Sequence, residues 1–169
     1  MSSTPRPSSK NGSHDAPIPR DASLNPELDL KKLQSLPSEQ QDLYLLTFIS
    51  TLTKHVESLE PDDCTAQQLY LKKELSQILN LAAPPPTRVI RNNLGRCFAH
   101  VLGKGDRKLL FETINDFVGI LGSGRKSEGD LRTKHAAVYC LGDVFAAAGD
   151  SAIGLHPLAC SAHRACSNR

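Results

Sequence analysis

The phrase Leu94-Gly95-Arg96-Cys97-Phe98-Ala99 returns as Leu141-Gly142-Asp143-Val144-Phe145-Ala146, 47 positions later. Each copy sits inside a run whose apolar residues step by three and four, the spacing of one helix face. A basic residue stands near the start of each run, Arg88 and Arg132. Glycine inside a helix costs about 1 kcal/mol against alanine. The same glycine at the same place twice therefore implies a neighbouring helix passing close by. A period of about 40–47 residues built from two or three helices is the HEAT/armadillo range. The expected fold is all-α: an α-solenoid of HEAT/armadillo-type helical hairpins.

The rest of the middle of the chain agrees with that period. Ser38-Glu39-Gln40-Gln41 reads as a capping box. Behind it Leu43, Leu46, Ile49, Leu52, Val56 and Leu59 form one stripe, ending near Glu60-Pro61. Thr65-Ala66-Gln67-Gln68 reads as a second capping box, opening a helix with Leu69, Leu75, Ile78, Leu79 and Leu81. Pro84-Pro85-Pro86 stops that helix, because proline lacks a donor and fixes φ. Thr87 to Leu102 is a third helix, facing Ile90, Leu94, Cys97, Phe98 and Val101 inward. Gly103-Lys104-Gly105 reads as a turn, with Asp106 capping a fourth helix. That helix buries Leu109, Leu110, Ile114, Phe117, Val118 and Leu121 and ends at Gly122. Asp130 is placed as the cap of a fifth helix, with Ala137, Val138, Leu141, Val144 and Phe145 inward.

Two flanks differ from this body. The first 37 residues hold six prolines and seven serines, and their few apolar residues follow no period. Such a segment buries too little apolar surface to offset its ordering entropy. Residues 1–37 are therefore expected to be a disordered arm, in which Leu28, Leu30, Leu33 and Leu36 form one short helical piece against the body. Residues 38–150 are the HEAT-type segment. Residues 151–169 are an incomplete or irregular tail, with Pro157 interrupting any helix, so the array is expected to be cut in mid-repeat. Lys+Arg is 20 against Asp+Glu 18, a balance unlike that of a wholly basic nucleic-acid binder. No apolar run reaches the roughly 18 residues a membrane span needs, and no leader-like apolar stretch follows the first charges. Five cysteines without paired spacing suit reduced thiols in the cytosol.

Pro85-Pro86-Thr87-Arg88, then Asn93-Leu94-Gly95, then Leu131-Arg132-Thr133-Lys134-His135-Ala136-Ala137-Val138-Tyr139-Cys140-Leu141-Gly142 resembles the N-terminal region of the HEAT repeat-containing protein 5 family. The likeness covers roughly residues 38 to 150 and leaves out the tail from Gly154. Fungal members of that family are large accessory proteins of a clathrin adaptor. The resemblance implies the start of a very large α-solenoid, peripheral to trans-Golgi network and endosomal membranes and otherwise cytoplasmic. It implies a non-catalytic scaffold in clathrin-adaptor-dependent vesicle traffic between endosomes and the trans-Golgi network. Its partners would be adaptor subunits or accessory proteins, and the remainder of the solenoid. The family brings no catalytic residues.

The residues themselves offer little chemistry. Gly103-Lys104-Gly105-Asp106-Arg107-Lys108 lacks the spacing of a phosphate loop, and no serine sits in a Gly-x-Ser-x-Gly elbow. No catalytic residue, cofactor or metal is assigned, and the chain is not expected to be an enzyme. His156, Cys160, His163 and Cys166 have zinc-compatible ligand types, but Pro157 lies among them and no second pair is near. Cys97 and Cys140 fall at apolar helix positions and read as small core residues. The candidate partner-binding feature is a basic ridge of Arg88, Arg91, Arg96, Lys104, Arg107 and Lys108, opposed locally only by Asp106. Such a ridge suits acidic partners, including anionic membrane. The bland alternative is a solvated face. The alternative function is a basic helical module binding RNA or anionic membrane directly. Few aromatics interleave with the basic residues, which disfavours single-stranded nucleic acid.

Overall fold

The computed structural model describes residues 26–124 and 127–149. Among the described residues there are six helices and no strand: α1 (Leu30–Ser35), α2 (Ser38–Ser58), α3 (Pro61–Leu79), α4 (Arg88–Lys104), α5 (Arg107–Gly122) and α6 (Glu128–Ala148). The described residues are all-α, as the periodicity predicts. The disorder expected of residues 1–25, and the whole 151–169 tail with its histidine and cysteine residues, lie outside the described residues.

The helix α4 is central. It packs against α2, α3, α5 and α6, with its most extensive seam along α6. Along the α2–α4 and α4–α6 seams the partners stand at a steady sequence separation. Lys104 reaches the carbonyls of Val56, Glu57 and Leu59, and His100 faces Glu57. Arg91 lies over the Tyr139 ring. Because the last turn of α4 meets the last turn of α2, these two helices point the same way. Arg91–Tyr139 and Gly95–Asp143 run in the same sense, so α6 also points with α4. On the other elements Lys72 pairs with Asp116 at 2.7 Å, tying α3 to α5. Leu28 and Pro26, just before α1, bond to Glu74 and Tyr70 of α3. All these pairs are between 43 and 48 positions apart.

The helix ends are set by local chemistry, with four departures from the expected caps. Thr87 caps α4 by accepting from the Ile90 N–H, and Asp106 caps α5 by accepting from the Lys108 N–H. At α2 there is no capping box. Pro37 occupies the cap position, and the Gln41 amide donates to the Leu36 carbonyl instead. The third helix starts four residues before Thr65, at Pro61, since proline suits the first helical position. The Thr65 hydroxyl then turns back onto the Pro61 carbonyl. Gly103 and Lys104 complete α4 rather than forming a turn, and Gly105 follows as its cap. At α6 the cap is Ser127, three residues before Asp130, which closes a reciprocal capping box on it.

The core confirms the inward sets of α4 and α5 in outline and rotates those of α2 and α3. Ile90, Leu94, Cys97, Phe98 and Val101 are all buried, and Phe98 meets Phe117 edge-on at 5.2 Å between ring centres. In α5, Leu109 and Val118 are only partly covered, and Thr113 is buried in the same face. In α2 the buried stripe is Leu45, Phe48, Ile49, Leu52 and Val56, while Leu43 is 66% exposed. In α3 Leu69 is 69% exposed, and Cys64, Gln68, Leu71 and Glu74 turn inward beside Leu75, Ile78 and Leu79. Residues 26–36, read as the end of the arm, belong to the body. Leu28 and Leu33 are buried there, and the short helix expected around them is α1.

Candidate functional site

The six basic residues of the candidate ridge are spread along α4 and the first turn of α5. An α-helix rises about 1.5 Å per residue, so Arg88 and Lys104 stand about 24 Å apart along the axis. Arg88 is exposed at the start of α4. Arg91 turns inward. Its Nη1 donates to the Pro86 carbonyl at 2.7 Å, its guanidinium lies 5.2 Å over the Tyr139 ring, and its Nε is sealed from solvent without a partner. Lys104 is likewise spent on the fold. Its Nζ donates to the carbonyls of Val56, Glu57 and Leu59 at 2.9, 2.9 and 3.0 Å. Those groups close the C-terminal end of α2, where a cation also meets the negative end of the helix dipole. Arg96, Arg107 and Lys108 are exposed, and Lys108 faces Glu112 one turn on at 3.9 Å. The structure therefore leaves four cationic side chains on the surface and uses two as internal clamps.

Arg96 opens a different feature. Between α4 and α6 lies a groove of about 230 Å³ lined by Arg96, Ala99, His100, Asp143, Ala146 and Ala147. Its geometry depends on Gly95. A Cβ there would stand 2.3 Å from Asp143 Oδ2 and 3.2 Å from the Tyr139 carbonyl oxygen. Only glycine lets α6 lay its carboxylate directly on the α4 backbone. Burial raises the Asp143 carboxyl above its ordinary value, and the nearby Arg96 opposes that rise. His100 Nε2 lies 3.9 Å from Glu57 Oε1, extending the polar rim across to α2. The groove offers an alanine floor with charges of both signs on its edges.

The thiols among the described residues lie away from any surface. Cys64, Cys97 and Cys140 are buried and free. Burial pushes Cys97 up to about 11 and raises Cys64 and Cys140 as well. A thiolate is the reactive form, so burial works against the reactivity of these groups. Cys97 and Cys140 are core residues, as their positions predict. Among the described residues, no group of three or more His, Cys, Asp or Glu side chains is placed to hold a metal ion, and no helix is long and apolar enough to cross a membrane.

Two buried polar side chains on α3 were invisible to periodicity. Gln68 donates to the Val101 carbonyl and accepts from the Asp106 N–H, joining α3 to the α4–α5 turn. Gly105 makes room for it, since a Cβ there would fall 2.3 Å from the Gln68 amide. Glu74, only 2% exposed, accepts from the Leu28 N–H at 2.9 Å and from the Gln77 amide at 3.1 Å. Neither family models nor solved structures yield a match to this chain.

Proposed function

We propose that this chain is a segment of a HEAT-type α-solenoid that works by binding, as a non-catalytic scaffold in clathrin-adaptor-dependent traffic between endosomes and the trans-Golgi network. One observation carries the solenoid part. Helices α2, α4 and α6 follow one another at a register of 43–48 residues, and Pro26 and Leu28, ahead of α1, meet α3 at 44 and 46 as α3 meets α5 at 44. Stacked hairpins of one period produce that pattern. The trafficking part rests on the resemblance of residues 85–142 to the HEAT repeat-containing protein 5 family. The surface offered to an adaptor subunit is the α4–α6 groove with the exposed Arg88 and Arg96, and Arg107 and Lys108 at the far end of α4.

The test is a pull-down from cytosol with the full chain as bait, beside a bait with Arg88, Arg96, Arg107 and Lys108 changed to Glu. Recovery of clathrin-adaptor subunits, lost in the charge-reversed bait, is the expected result. Recovery of RNA-binding complexes in their place sinks the trafficking reading and favours the basic module. Binding to that module would weaken steeply between low and physiological salt.

A further inference from the structure

The helix α1 is far shorter than the helices that follow it. It has 6 residues, where α3 has 19 and α5 has 16. Yet the segment containing it meets α3 at separations of 44 and 46 residues, as α3 meets α5 at 44. The short helix itself packs on α2, and the extended residues before it lie on α3. A helix that short has no stability of its own, so its order comes from what it lies on.

Residues 26–36 are held there as a bound peptide would be. Pro26 to Asp29 is non-helical, and its main chain is read at two points. The Tyr70 hydroxyl donates to the Pro26 carbonyl at 3.4 Å, and the Leu28 N–H donates to Glu74 Oε2 at 2.9 Å. Glu74 is a buried carboxylate whose two donors are both neutral. A charge-bearing group is costly to bury, and this one is spent on the backbone of a passing segment. Two side chains, Leu28 and Leu33, are the buried anchors. Lys32 lies 5.5 Å over the Tyr44 ring, and Lys31, Gln34 and Ser35 face solvent.

We propose that the face of α2 and α3 beneath residues 26–36 is a docking site for a leucine-bearing linear segment. In this structure the chain's own residues 26–36 fill it as a self-ligand, and a partner segment of the same chemistry exchanges with them. Glu74 supplies recognition of an extended backbone that is independent of side chain, and the pockets of Leu28 and Leu33 supply selectivity. This stands apart from the trafficking reading, since it needs only α2 and α3.

Two measurements on the full chain test it. The first is hydrogen exchange of the unmodified protein. Backbone amides from Leu28 to Leu33 should exchange at least tenfold faster than those of α4, because exchange then follows local opening rather than global unfolding. Equal protection of the two regions overturns the proposal, since the segment would then be a fixed part of the core. The second uses a fluorescent peptide of residues 26–37 as probe. It should bind Leu28→Asp/Leu33→Asp protein at least tenfold more tightly than unmodified protein, and adding Glu74→Ala should abolish that gain. A double variant that keeps its helical content and cooperative melting but does not bind the peptide overturns the proposal. If the double variant does not fold, the exchange result alone decides.

Discussion

The helices α4 and α6 carry the same Leu-Gly-x-x-Phe-Ala phrase in opposite surroundings. On α4, Gly95 is pressed by the Asp143 carboxylate and the Tyr139 carbonyl, and Phe98 is fully buried against Phe117. On α6, a Cβ at Gly142 would meet nothing within 4 Å, and Phe145 is only partly covered. A repeated phrase thus fixes where helices recur along the chain, while its energetic weight depends on whether another helix lies on it. The glycine expected to mark a close approach does so in the first copy and not in the second among the described residues.

Truncating the two phenylalanines should separate the copies most widely. Phe98→Ala removes a fully buried ring and should cost about 4 kcal/mol. Phe145→Ala should cost less than half of that, because part of its surface already meets water. Chemical denaturation of both variants measures the gap, and equal losses would mean the two copies are packed alike. The glycines give the next largest contrast. Gly95→Leu must push α6 away from α4 and should destabilise by about 2–3 kcal/mol. Gly142→Ala gains helix propensity with no clash and should stabilise by about 0.5–1 kcal/mol. A loss at Gly142 as well would show that its face is covered in solution.

The same contrast runs through the basic residues. Lys104 and Lys108 are four positions apart, one clamped on three carbonyls and the other exposed. Lys104→Met should cost about 1–2 kcal/mol, the loss of charge-assisted bonds at a helix end. Lys108→Met should stay within about 0.5 kcal/mol. Partner binding, by contrast, should respond to Lys108 and not to Lys104. Thermal melts and the pull-down together read both effects.

How much of this was legible beforehand follows from what each signal depends on. The helices were legible because three-and-four spacing is a property of the chain alone. The inward set of α4 was fully legible because neighbours surround that helix, so every apolar residue on its stripe finds a partner. In α2, Leu43 and Leu45 compete for the inward direction, and Leu45 takes it while Leu43 stays exposed. Spacing cannot weigh partners it does not contain. The helix start at Pro61 and the cap at Ser127 were missed because a Thr or Asp farther along offered an equally good local cap. Gln68 and Glu74 were beyond reach, since a polar residue turns inward only when a distant backbone group needs it. Which members of the ridge reach the surface was not legible for a related reason. Charge density along the chain does not say which cations have carbonyls or rings to meet, and Arg91 and Lys104 do.

The smallest expected effect concerns the carboxylate that lies on Gly95. Burial raises the Asp143 pKa above its ordinary 3.8, with Arg96 pulling the other way. A carboxyl whose folded value is raised binds its proton more tightly in the folded state. Its ionised form therefore works against folding, and stability falls as pH rises from 3.8 through the folded value. Asp143→Asn keeps the shape and removes the charge. It should raise the melting temperature slightly at pH 7, and that gain should vanish toward pH 3, where the native carboxyl is protonated in both states. The group is only partly shielded, so solvent screening keeps the effect small. A variant less stable than the native chain at pH 7 would mean that attraction to Arg96 outweighs desolvation. The groove would then be held together by the charge pair, and Arg96→Met should cause a similar loss. If desolvation dominates, Arg96→Met should instead deepen the pH dependence, because the ionised carboxylate would lose the one cation that favours it.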